Sequence, residues 1–486
     1  MNVTIGLADL LLISPIIVLF LFSLVPLITK VTNNNQEQKP AATLITALMG
    51  LGISAGLLIL FGGSDQTIFN GQLLFDGLTK WAGLIAIISA AAGLVMMYEN
   101  PSTHYEQFSE IVFLALNSIA GMLVLISAVN LITMFIGLEL MSLSLYLMIA
   151  MSQEQKLSKE AAIKYFILGS VASAIFLYGV SFVFGSTNTV NITELIQIGT
   201  ATIQSNKLFL FGITFIVVGF CFKVSIAPFH AWTPDVYQGA PTPITAFMAT
   251  AIKTASFAAF LRIAATQVFQ GSQGLIDVIQ WLAVVTMIVG NVAAIIQTNF
   301  KRTLAYSSIA HSGYILVGVL TVGLSANSAY SAASVLFYLL TYSVMTIGAF
   351  AVLSMIEKSE TDFVTTESLA GFAKKQPTLA FCLAIFLFSM AGLPPALGFF
   401  SKFYLFGAAV NEGLIWLTLW GVINSAIGVY YYLRPIIVMY MKDGSADISS
   451  PKLYASTVLV VTAALFIIIV GLFSGPLFSM IERSLS

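Results

Sequence analysis

Five charged residues lie well inside long apolar stretches of the sequence. They are one glutamate and four lysines: Glu139 in MFIGLELMSLSLY, Lys164 in KEAAIKYFILGS, Lys223 in CFKVS, Lys253 in TAIKTASF and Lys402 in GFFSKFYLF. An ionised side chain in the middle of a bilayer costs several kcal/mol, so such groups usually pair, line water or carry ions. Carboxyl and amino groups both bind and release protons, and the five residues are therefore candidates for proton transfer.

Glu139 and Lys164 belong to consecutive apolar stretches that are joined by a loop centred near residue 154. Both lie at a similar distance from that loop, Glu139 before it and Lys164 after it. At 1.5 Å per helical residue their depths differ by about 7 Å, which two long side chains or one bridging water can span. We predict an ion pair there. The alternative is a purely structural salt bridge between two helices.

The buried charges are unbalanced, because four lysines face one glutamate. Desolvation and mutual repulsion both favour a neutral amine, so we expect some of these lysines to be unprotonated part of the time. A buried lysine whose charge depends on a neighbouring charge can carry a proton. Lys164 lies nearest a predicted interface and could instead extend toward the headgroups, an alternative that fits the other three lysines poorly.

Two histidines are candidate proton relays between these lysines. His230 lies just beyond a break at Pro228. His311 lies close to three serines, Ser307, Ser308 and Ser312. Imidazole titrates near neutral pH and can pass a proton between its two nitrogens. Either histidine could instead be an ordinary hydrogen-bonded core residue.

The composition excludes several classes of protein. Of 486 residues 58% are hydrophobic and 8% are charged, whereas soluble proteins carry about a quarter charged residues. A net charge of −1 gives no case for a nucleic-acid partner. Two distant cysteines, Cys221 and Cys382, exclude a disulfide framework or an iron–sulfur cluster within the chain. The three histidines, including His104, lack the spacing of a local metal motif, and a haem held by two distant histidines stays open.

The elements that must position these residues are transmembrane helices, which need about 20 mostly apolar residues each. About fourteen stretches meet this condition and predict an all-α polytopic membrane protein. They lie near 7–29, 41–61, 74–97, 108–127, 130–151, 159–184, 207–227, 241–267, 275–298, 303–323, 329–355, 378–407, 413–440 and 453–479. The first stretch is longer than a signal-peptide core and has no basic segment before it, so we predict a permanent span.

Basic residues are concentrated in the connections that run from an odd-numbered span to an even-numbered span. Those connections hold Lys30, Lys39, Lys156, Lys159, Lys301, Arg302, Lys358, Lys374, Lys375, Lys442 and Lys452. The opposite side holds only Lys207 and Arg483. Because cytoplasmic loops carry an excess of Lys and Arg, this asymmetry places both termini on the non-cytoplasmic side.

Proline-rich interruptions occur twice inside apolar stretches. IAPFHAWTP contains Pro228, and MAGLPPALGFF contains Pro394, at a shift of 166 in sequence number (394 − 228). The same shift places the tenth span over the fifth and pairs Glu139 with Ala305. We therefore predict two five-span units, 108–267 and 275–440, preceded by three spans in 1–107 and followed by one span in 441–486. Five is odd, so the second unit is inverted, as in many transporters that handle ions at broken helices.

Several longer motifs resemble one family closely. They are GLELMSLSLY at 137–146, EAAIKY at 160–165, FKVSIAPFHAWTPDVYQGAPTP at 222–243, QTNFKRTLAYSSIAHSGY at 297–314 and AGLPPALGFFSKFY at 391–404. Over nearly its whole length the chain resembles the antiporter-like subunit N of the proton-pumping NADH–quinone oxidoreductase, respiratory complex I. The WTPDVYQGAPTP continuation resembles subunit N more than its paralogues.

The resemblance implies fourteen helices with two inverted five-helix repeats, in a subunit that moves protons while the redox chemistry occurs elsewhere. It implies that Glu139 and Lys164 are a coupling pair and that Lys223 is the central lysine at the first broken helix. Lys253 would be its partner toward the second half, and Lys402 the lysine after the second break. The flavin, the iron–sulfur clusters and the quinone would lie in partner subunits. Other membrane-arm subunits and the bilayer of a bacterial plasma membrane would be its surroundings.

Two rival interpretations use the same residues. A subunit of a multi-subunit cation/proton antiporter of the Mrp type would move ions with these charges and without a redox partner. A purely structural membrane scaffold is disfavoured, because a scaffold has no need of five charges at mid-membrane depth.

Overall fold

The computed structural model describes residues 6–32, 40–100, 107–151, 156–196, 206–266, 268–325, 328–357, 364–444 and 454–486. Four residues used in the sequence analysis lie outside these ranges: Lys39, His104, Lys358 and Lys452.

The described chain is almost entirely helical, as its long apolar stretches predict. The helices are α1 (Leu7–Thr32), α2 (Pro40–Phe61), α3 (Gly77–Glu99), α4 (Phe108–Ser127), α5 (Leu131–Ala150), α6 (Lys156–Thr187), α7 (Ile192–Ile196), α8 (Lys207–Lys223), α9 (Trp232–Gly239), α10 (Thr242–Ala264), α11 (Gln273–Ile295), α12 (Phe300–Leu324), α13 (Ser328–Ile356), α14 (Phe372–Lys375), α15 (Pro377–Ala391), α16 (Leu397–Asn411), α17 (Ile415–Met441), α18 (Tyr454–Leu472) and α19 (Ser474–Arg483). Two short 3₁₀ turns span Val268–Gly271 and Glu367–Leu369.

Twelve helices within the described ranges are long and apolar enough to cross a membrane. Many large apolar side chains of the helices are exposed, among them Phe20, Leu60, Phe211 and Phe403. Exposing so much apolar surface to water is unfavourable, whereas lipid tails solvate it. The chain is therefore an integral membrane protein.

Both interruptions predicted from the prolines are present. α8 ends at Lys223 and α9 begins at Trp232, while α15 ends at Ala391 and α16 begins at Leu397. The predicted span 378–407 is therefore two short helices. Proline cannot donate the backbone hydrogen bond that would continue a helix, which accounts for the position of each break. Each break also contains a cis peptide bond, at Ala227–Pro228 and at Pro394–Pro395.

One β-hairpin, which the sequence analysis did not predict, connects α2 to α3. Strand β1 (Gln66–Ile68) pairs antiparallel with β2 (Leu73–Phe75). Asp76 follows the hairpin and caps α3 by accepting a hydrogen bond from the Thr79 backbone N–H at 2.9 Å. Arg262 near the end of α10 donates to both oxygens of Asp76, at 2.9 and 2.7 Å. These two hydrogen bonds anchor the end of the hairpin to α10, the most deeply buried helix.

The core of the molecule surrounds α10, whose residues are buried along its whole length. α12 and α13 are nearly as buried, whereas α1 and α18 expose most of their surface. α10 also contains one π-helical turn, Met248–Ile252, immediately before Lys253. Such a turn redirects the side chains that follow it and is frequent at functional sites. The most buried helices therefore carry two of the predicted site residues, Lys253 and His311.

Candidate functional site

Lys223 lies at the end of α8 with its side chain buried, at 3% exposure. Its Nζ donates to the Ser142 hydroxyl at 2.8 Å and to the Tyr146 hydroxyl at 3.3 Å. The rings of Tyr146 and Tyr165 lie 5.7 and 5.9 Å from the same nitrogen, within range of cation–π attraction. The amine is thus held by neutral oxygens and aromatic faces.

The chain leaves the helix directly after Lys223. Ser225 takes a left-handed conformation (φ 64°), and its hydroxyl accepts a hydrogen bond from Thr233 at 2.7 Å. The indole N–H of Trp232 donates to the Phe222 carbonyl at 3.0 Å. A carbonyl freed by a helix break can bind water, but here a side chain occupies it. Side-chain hydrogen bonds therefore hold the backbone of the break on both sides of Lys223.

Glu139 faces the same region from α5 and is partly exposed. Its carboxylate accepts a hydrogen bond from the Ser173 hydroxyl of α6. Residues three apart on a helix share a face, so Glu139 lies one turn from Ser142, which binds Lys223. The structure thus brings Glu139 and Lys223 to neighbouring turns of one helix surface.

The ion pair predicted between Glu139 and Lys164 is not formed in this structure. The Lys164 side chain is 42% exposed, and its Nζ lies 2.7 Å from Glu160 and 3.1 Å from Asp235. Lys164 points outward, toward α9, and similar depth along the two helices does not bring it to Glu139. The short helix after the proline break supplies Asp235, a partner that counting positions from a loop does not reveal.

Asp235 connects the two halves of the chain. It accepts from Lys164 of α6 and, at 2.8 Å, from Arg302 of α12, which also donates to Gln238 at 3.0 Å. The Asp235 carboxylate thus lies between two cations, Lys164 of α6 and Arg302 of α12, and bridges these two helices.

Lys253 follows the π-helical turn of α10 and is 2% exposed. Its Nζ donates to the Ser308 carbonyl at 2.7 Å and to the Ser308 hydroxyl at 2.5 Å. The same hydroxyl accepts from Tyr342 at 2.8 Å, and the Tyr342 ring lies 5.5 Å from Nζ. A single serine of α12 thus holds the second buried amine.

His311 lies one turn after Ser308 on α12 and is buried. Its Nδ1 is 2.7 Å from the Tyr338 hydroxyl, and its Nε2 is 3.0 Å from the Tyr432 hydroxyl. The Tyr432 hydroxyl also shares a hydrogen bond with Ser307. Both ring nitrogens are therefore engaged by side chains that can donate and accept protons.

Lys402 lies on α16 after the second break, at 7% exposure. Its Nζ donates to the Met390 and Ala391 carbonyls at 3.2 Å each and to the Ser425 hydroxyl at 2.8 Å. Because the last carbonyls of a helix have no partner within it, the end of α15 offers this amine a ready acceptor site. Lys402 also lines a cavity of about 590 Å³ that opens beside Phe403.

His230 does not join either lysine cluster. It is half-buried at the first break and lines a cavity of about 460 Å³ together with Asp277 and Trp281. Its Nδ1 has no hydrogen-bond partner among the described residues. Nor do the described ranges contain a group of three His, Cys, Asp or Glu side chains placed to bind a metal ion.

The sequence analysis missed the tyrosines that complete the site. Of the three consecutive tyrosines at 430–432, Tyr430 is exposed, whereas Tyr431 and Tyr432 are buried. Successive helical residues are rotated by about 100°, so three in a row cannot all face lipid. That rotation was the available signal. Nothing in the sequence marks Tyr338 and Tyr342 as site residues, because a tyrosine is ordinary in an apolar stretch.

Comparisons with known proteins agree on one family. A profile described as NADH:quinone oxidoreductase/Mrp antiporter, transmembrane, matches residues 128–428. A NADH-quinone oxidoreductase subunit N from Bdellovibrio bacteriovorus is 63% identical over 485 residues, covering 100% of both chains.

Two solved structures have a similar fold. A chain of respiratory complex I from Thermus thermophilus with bound aureothin superposes with a TM-score of 0.81 at 31% identity, over 96% of this chain and 98% of that one. A chain of the Mrp complex from Dietzia sp. superposes with a TM-score of 0.83 at 18% identity, over 99% and 97%. The second likeness concerns the fold alone.

Proposed function

The chain belongs to the subunit N family of NADH-quinone oxidoreductases, and from this membership we propose that it translocates protons within the membrane arm of complex I. Quinone reduction in other subunits would drive the step. Assignment to the family rests on the 63% identical relative over the full chain. The proton path proposed below rests on the geometry of the buried amines.

The proposed chemistry rests on one observation: three lysines are buried, and none of them forms an ion pair with a carboxylate among the described residues. Within the described part of the chain, the hydrogen-bond acceptors of Lys223, Lys253 and Lys402 are hydroxyl and carbonyl oxygens only. An amine held by neutral groups can lose its proton without leaving a carboxylate stranded in the interior. Its charge state then depends on charges nearby, as a proton carrier requires.

We assign the path in two parts. In the first, Lys223 exchanges its proton under the influence of Glu139, one helical turn from its Ser142 partner. In the second, Lys253, His311 and Lys402 pass the proton on. Lys164 acts as the switch, because its partners Glu160 and Asp235 hold it away from Glu139 in this structure. His230, beside a cavity at the first break, lies at a mouth of the path.

We further propose that the fold consists of two inverted five-helix repeats. The two broken helices, added to the twelve long helices of the described ranges, bring the number of spans to fourteen. Each repeat has an asparagine that caps its second helix: Asn130 accepts from the backbone N–H of Ile132, and Asn299 from that of Arg302. Each asparagine also forms an isolated β-bridge, to Asn191 and to Thr365.

The capping asparagines offer a second register for the proposed repeats, beside that of the prolines. Their shift in sequence number is 169 (299 − 130), whereas the sequence analysis used a shift of 166. With 169, Glu139 corresponds to Ser308 and Ser142 to His311. Ser308, which binds Lys253, would then occupy in the second unit the place that Glu139 occupies in the first. His311 would occupy the place of Ser142, which binds Lys223.

We place the chain in a bacterial plasma membrane, with both termini on the non-cytoplasmic side and other membrane-arm subunits of complex I as neighbours. The concentration of basic residues in alternate loops supports this orientation. The flavin, the iron–sulfur clusters and the quinone would be bound by partner subunits. The cysteine content supports this division, since Cys221 and Cys382 are both buried and an iron–sulfur cluster uses about four thiolates.

Replacing the central amine tests the proposal. In the assembled complex, Lys223→Ala and Glu139→Gln should each lower coupled proton translocation, by roughly tenfold or more if a positioned proton carrier is lost. Proton uptake and NADH oxidation are measured together in proteoliposomes, with co-purification of the other subunits as the check on assembly.

Lys207→Ala is the matched control, because Lys207 begins the same helix and is exposed. It should pump as the unmodified chain does. Wild-type pumping in Lys223→Ala would overturn the proposed roles. Exchange of Na⁺ for H⁺ by the purified chain alone would instead favour an Mrp-type antiporter, a class that the matching family profile also includes.

A further inference from the structure

His311 is held from both sides by buried phenols. Its Nδ1 lies 2.7 Å from the Tyr338 hydroxyl and its Nε2 lies 3.0 Å from the Tyr432 hydroxyl. A neutral imidazole has one nitrogen that donates and one that accepts. One phenol must therefore accept from the ring while the other donates to it, and a change of tautomer requires both hydroxyls to turn.

The imidazole also lies between two buried amines. Its ring centroid is 5.0 Å from that of Tyr342, whose face lies under Lys253 Nζ at 5.5 Å. On another side it is 5.8 Å from the ring of Tyr314, which lies 5.2 Å from Lys402 Nζ. Aromatic rings separate the histidine from both lysines. No hydrogen bond within the described residues joins His311 to either lysine directly.

Two sets of hydrogen-bonded hydroxyls lie on the Lys253 side of this histidine. Tyr432 shares a hydrogen bond with Ser307, and Ser308, the next residue in sequence, separately accepts from Lys253 at 2.5 Å and from Tyr342 at 2.8 Å. Among the described residues no hydrogen bond joins the two serine hydroxyls. Every one of these side chains is buried. Buried polar groups are costly unless they are satisfied, so a cluster of this size indicates a purpose beyond packing.

We propose that Tyr432 and Tyr338 are proton-transfer residues of the path, which hold His311 in register and transfer its protons on either side. The proposal rests on the proposed function. In one passage Tyr432 gives its hydroxyl proton to Nε2 and takes another from Ser307, which is resupplied by the ammonium group of Lys253. At the same time Nδ1 gives its proton to Tyr338, whose own hydroxyl proton goes to the neutral amine of Lys402. Each O–H or N–H bond that breaks is matched by one that forms.

The decisive experiment compares two adjacent tyrosines of α17. Tyr432→Phe removes the hydroxyl on Nε2, whereas Tyr431→Phe removes an equally buried hydroxyl that donates to Asn291 at 3.0 Å. In the reconstituted complex we expect Tyr432→Phe to lower the rate of coupled proton translocation at least about tenfold, because a positioned proton-transfer group is lost. Tyr431→Phe should stay within about twofold of the unmodified chain, since its hydroxyl donates to Asn291 and contacts neither nitrogen of His311.

Two further readouts separate proton transfer from packing. A fluorinated tyrosine at position 432 keeps the shape and the hydroxyl but makes the phenol more acidic, so it should leave assembly unchanged and shift the pH profile of pumping. The effect of replacing H₂O by D₂O on the rate of pumping should be larger in Tyr338→Phe, because a proton-transfer step then limits that rate.

Equal losses in Tyr431→Phe and Tyr432→Phe, with a pH profile unchanged by fluorination, would overturn the proposal and leave a structural role. Unchanged pumping in Tyr432→Phe would overturn it too. If Lys223→Ala also pumps normally, the proposed function itself fails. If Lys223→Ala is impaired while Tyr432→Phe is not, only the role of the phenols fails.

Discussion

The buried cations of this chain fall into two kinds according to their partners. Arg262 is buried against the carboxylate of Asp76, with Thr79 accepting from it at 2.6 Å. Lys223 and Lys253 have only neutral oxygens as acceptors within the described residues. Arginine stays protonated in proteins and needs a counter-charge, whereas a lysine can discharge by losing its proton. The choice of partner thus separates the structural cation from the candidate carriers.

Asp76→Asn should destabilise the fold without stopping proton transfer. It leaves the Arg262 guanidinium buried without a counter-charge, which costs roughly 3 kcal/mol. A thermal-shift measurement on the solubilised complex checks the loss. The exposed Asp65 of the same connection gives the control, because Asp65→Asn removes a carboxylate without burying a charge and should leave the melting temperature unchanged.

The same carboxyl predicts an acid dependence. Burial by itself raises the pKa of Asp76, but the charge and hydrogen bonds of Arg262 outweigh burial and lower that pKa from its ordinary value. A carboxyl with a lowered folded pKa contributes stability above its unfolded pKa and loses it as pH falls through the folded value. The difference in melting temperature between the unmodified chain and Asp76→Asn should therefore shrink below about pH 4.

At the residue scale the sequence revealed charges better than it revealed their partners. Glu139, Lys223, Lys253 and Lys402 stand out because charge is rare in apolar stretches. Their hydroxyl partners do not, since Ser142 or Ser308 is common in membrane helices and acquires meaning only across a helix contact. Lys164 shows the limit of counting depth: its direction depends on Asp235, which is 71 positions away in the chain.

At the scale of elements, the second break positions its lysine by close contact. Gly392 ends α15 in a left-handed conformation (φ 78°). A Cβ atom added there would lie 2.8 Å from Nζ of Lys402 and 2.9 Å from its Cδ. Glycine at this position therefore leaves the room in which Lys402 reaches the Met390 and Ala391 carbonyls.

Gly392→Ala should therefore lower coupled proton translocation by displacing Lys402. The variant also places an L-residue in the left-handed region, which costs about 1 kcal/mol. Gly413→Ala has the same backbone cost at φ 76° but meets nothing within 4 Å. Both variants should lose similar stability in a thermal-shift assay, and only Gly392→Ala should lose pumping in proteoliposomes. Equal pumping by the two would contradict the role given to Lys402.

The sequence predicts the long helices and the two helix breaks from simple patterns. Apolar length predicts the long helices, and proline predicts both breaks. The hairpin Gln66–Phe75 was not predicted, because two strands of three residues each leave no recognisable alternation. The π-helical turn before Lys253 was equally hidden, since it arises from packing in the crowded core.

At the scale of the whole molecule, the orientation in the membrane is open to direct measurement. Native Cys221 and Cys382 are both buried, so a cysteine introduced at the surface can be labelled selectively. With an impermeant maleimide, Ser486→Cys should react in intact spheroplasts and Lys374→Cys only in inverted vesicles. Both positions are exposed, which makes accessibility depend on the side of the membrane. The reverse pattern would contradict the placement of the termini.

The imidazole of His311, with a phenol on each nitrogen, has a consequence for reversibility. Tyr338 and Tyr432 present the same chemical group to opposite sides of the ring. A phenol–imidazole–phenol relay has no built-in rectification, because the same hops run equally well in the opposite order. The direction of flow must then be imposed by gates elsewhere in the assembly. A sufficiently large proton-motive force should therefore drive protons through the proposed relay in the reverse direction.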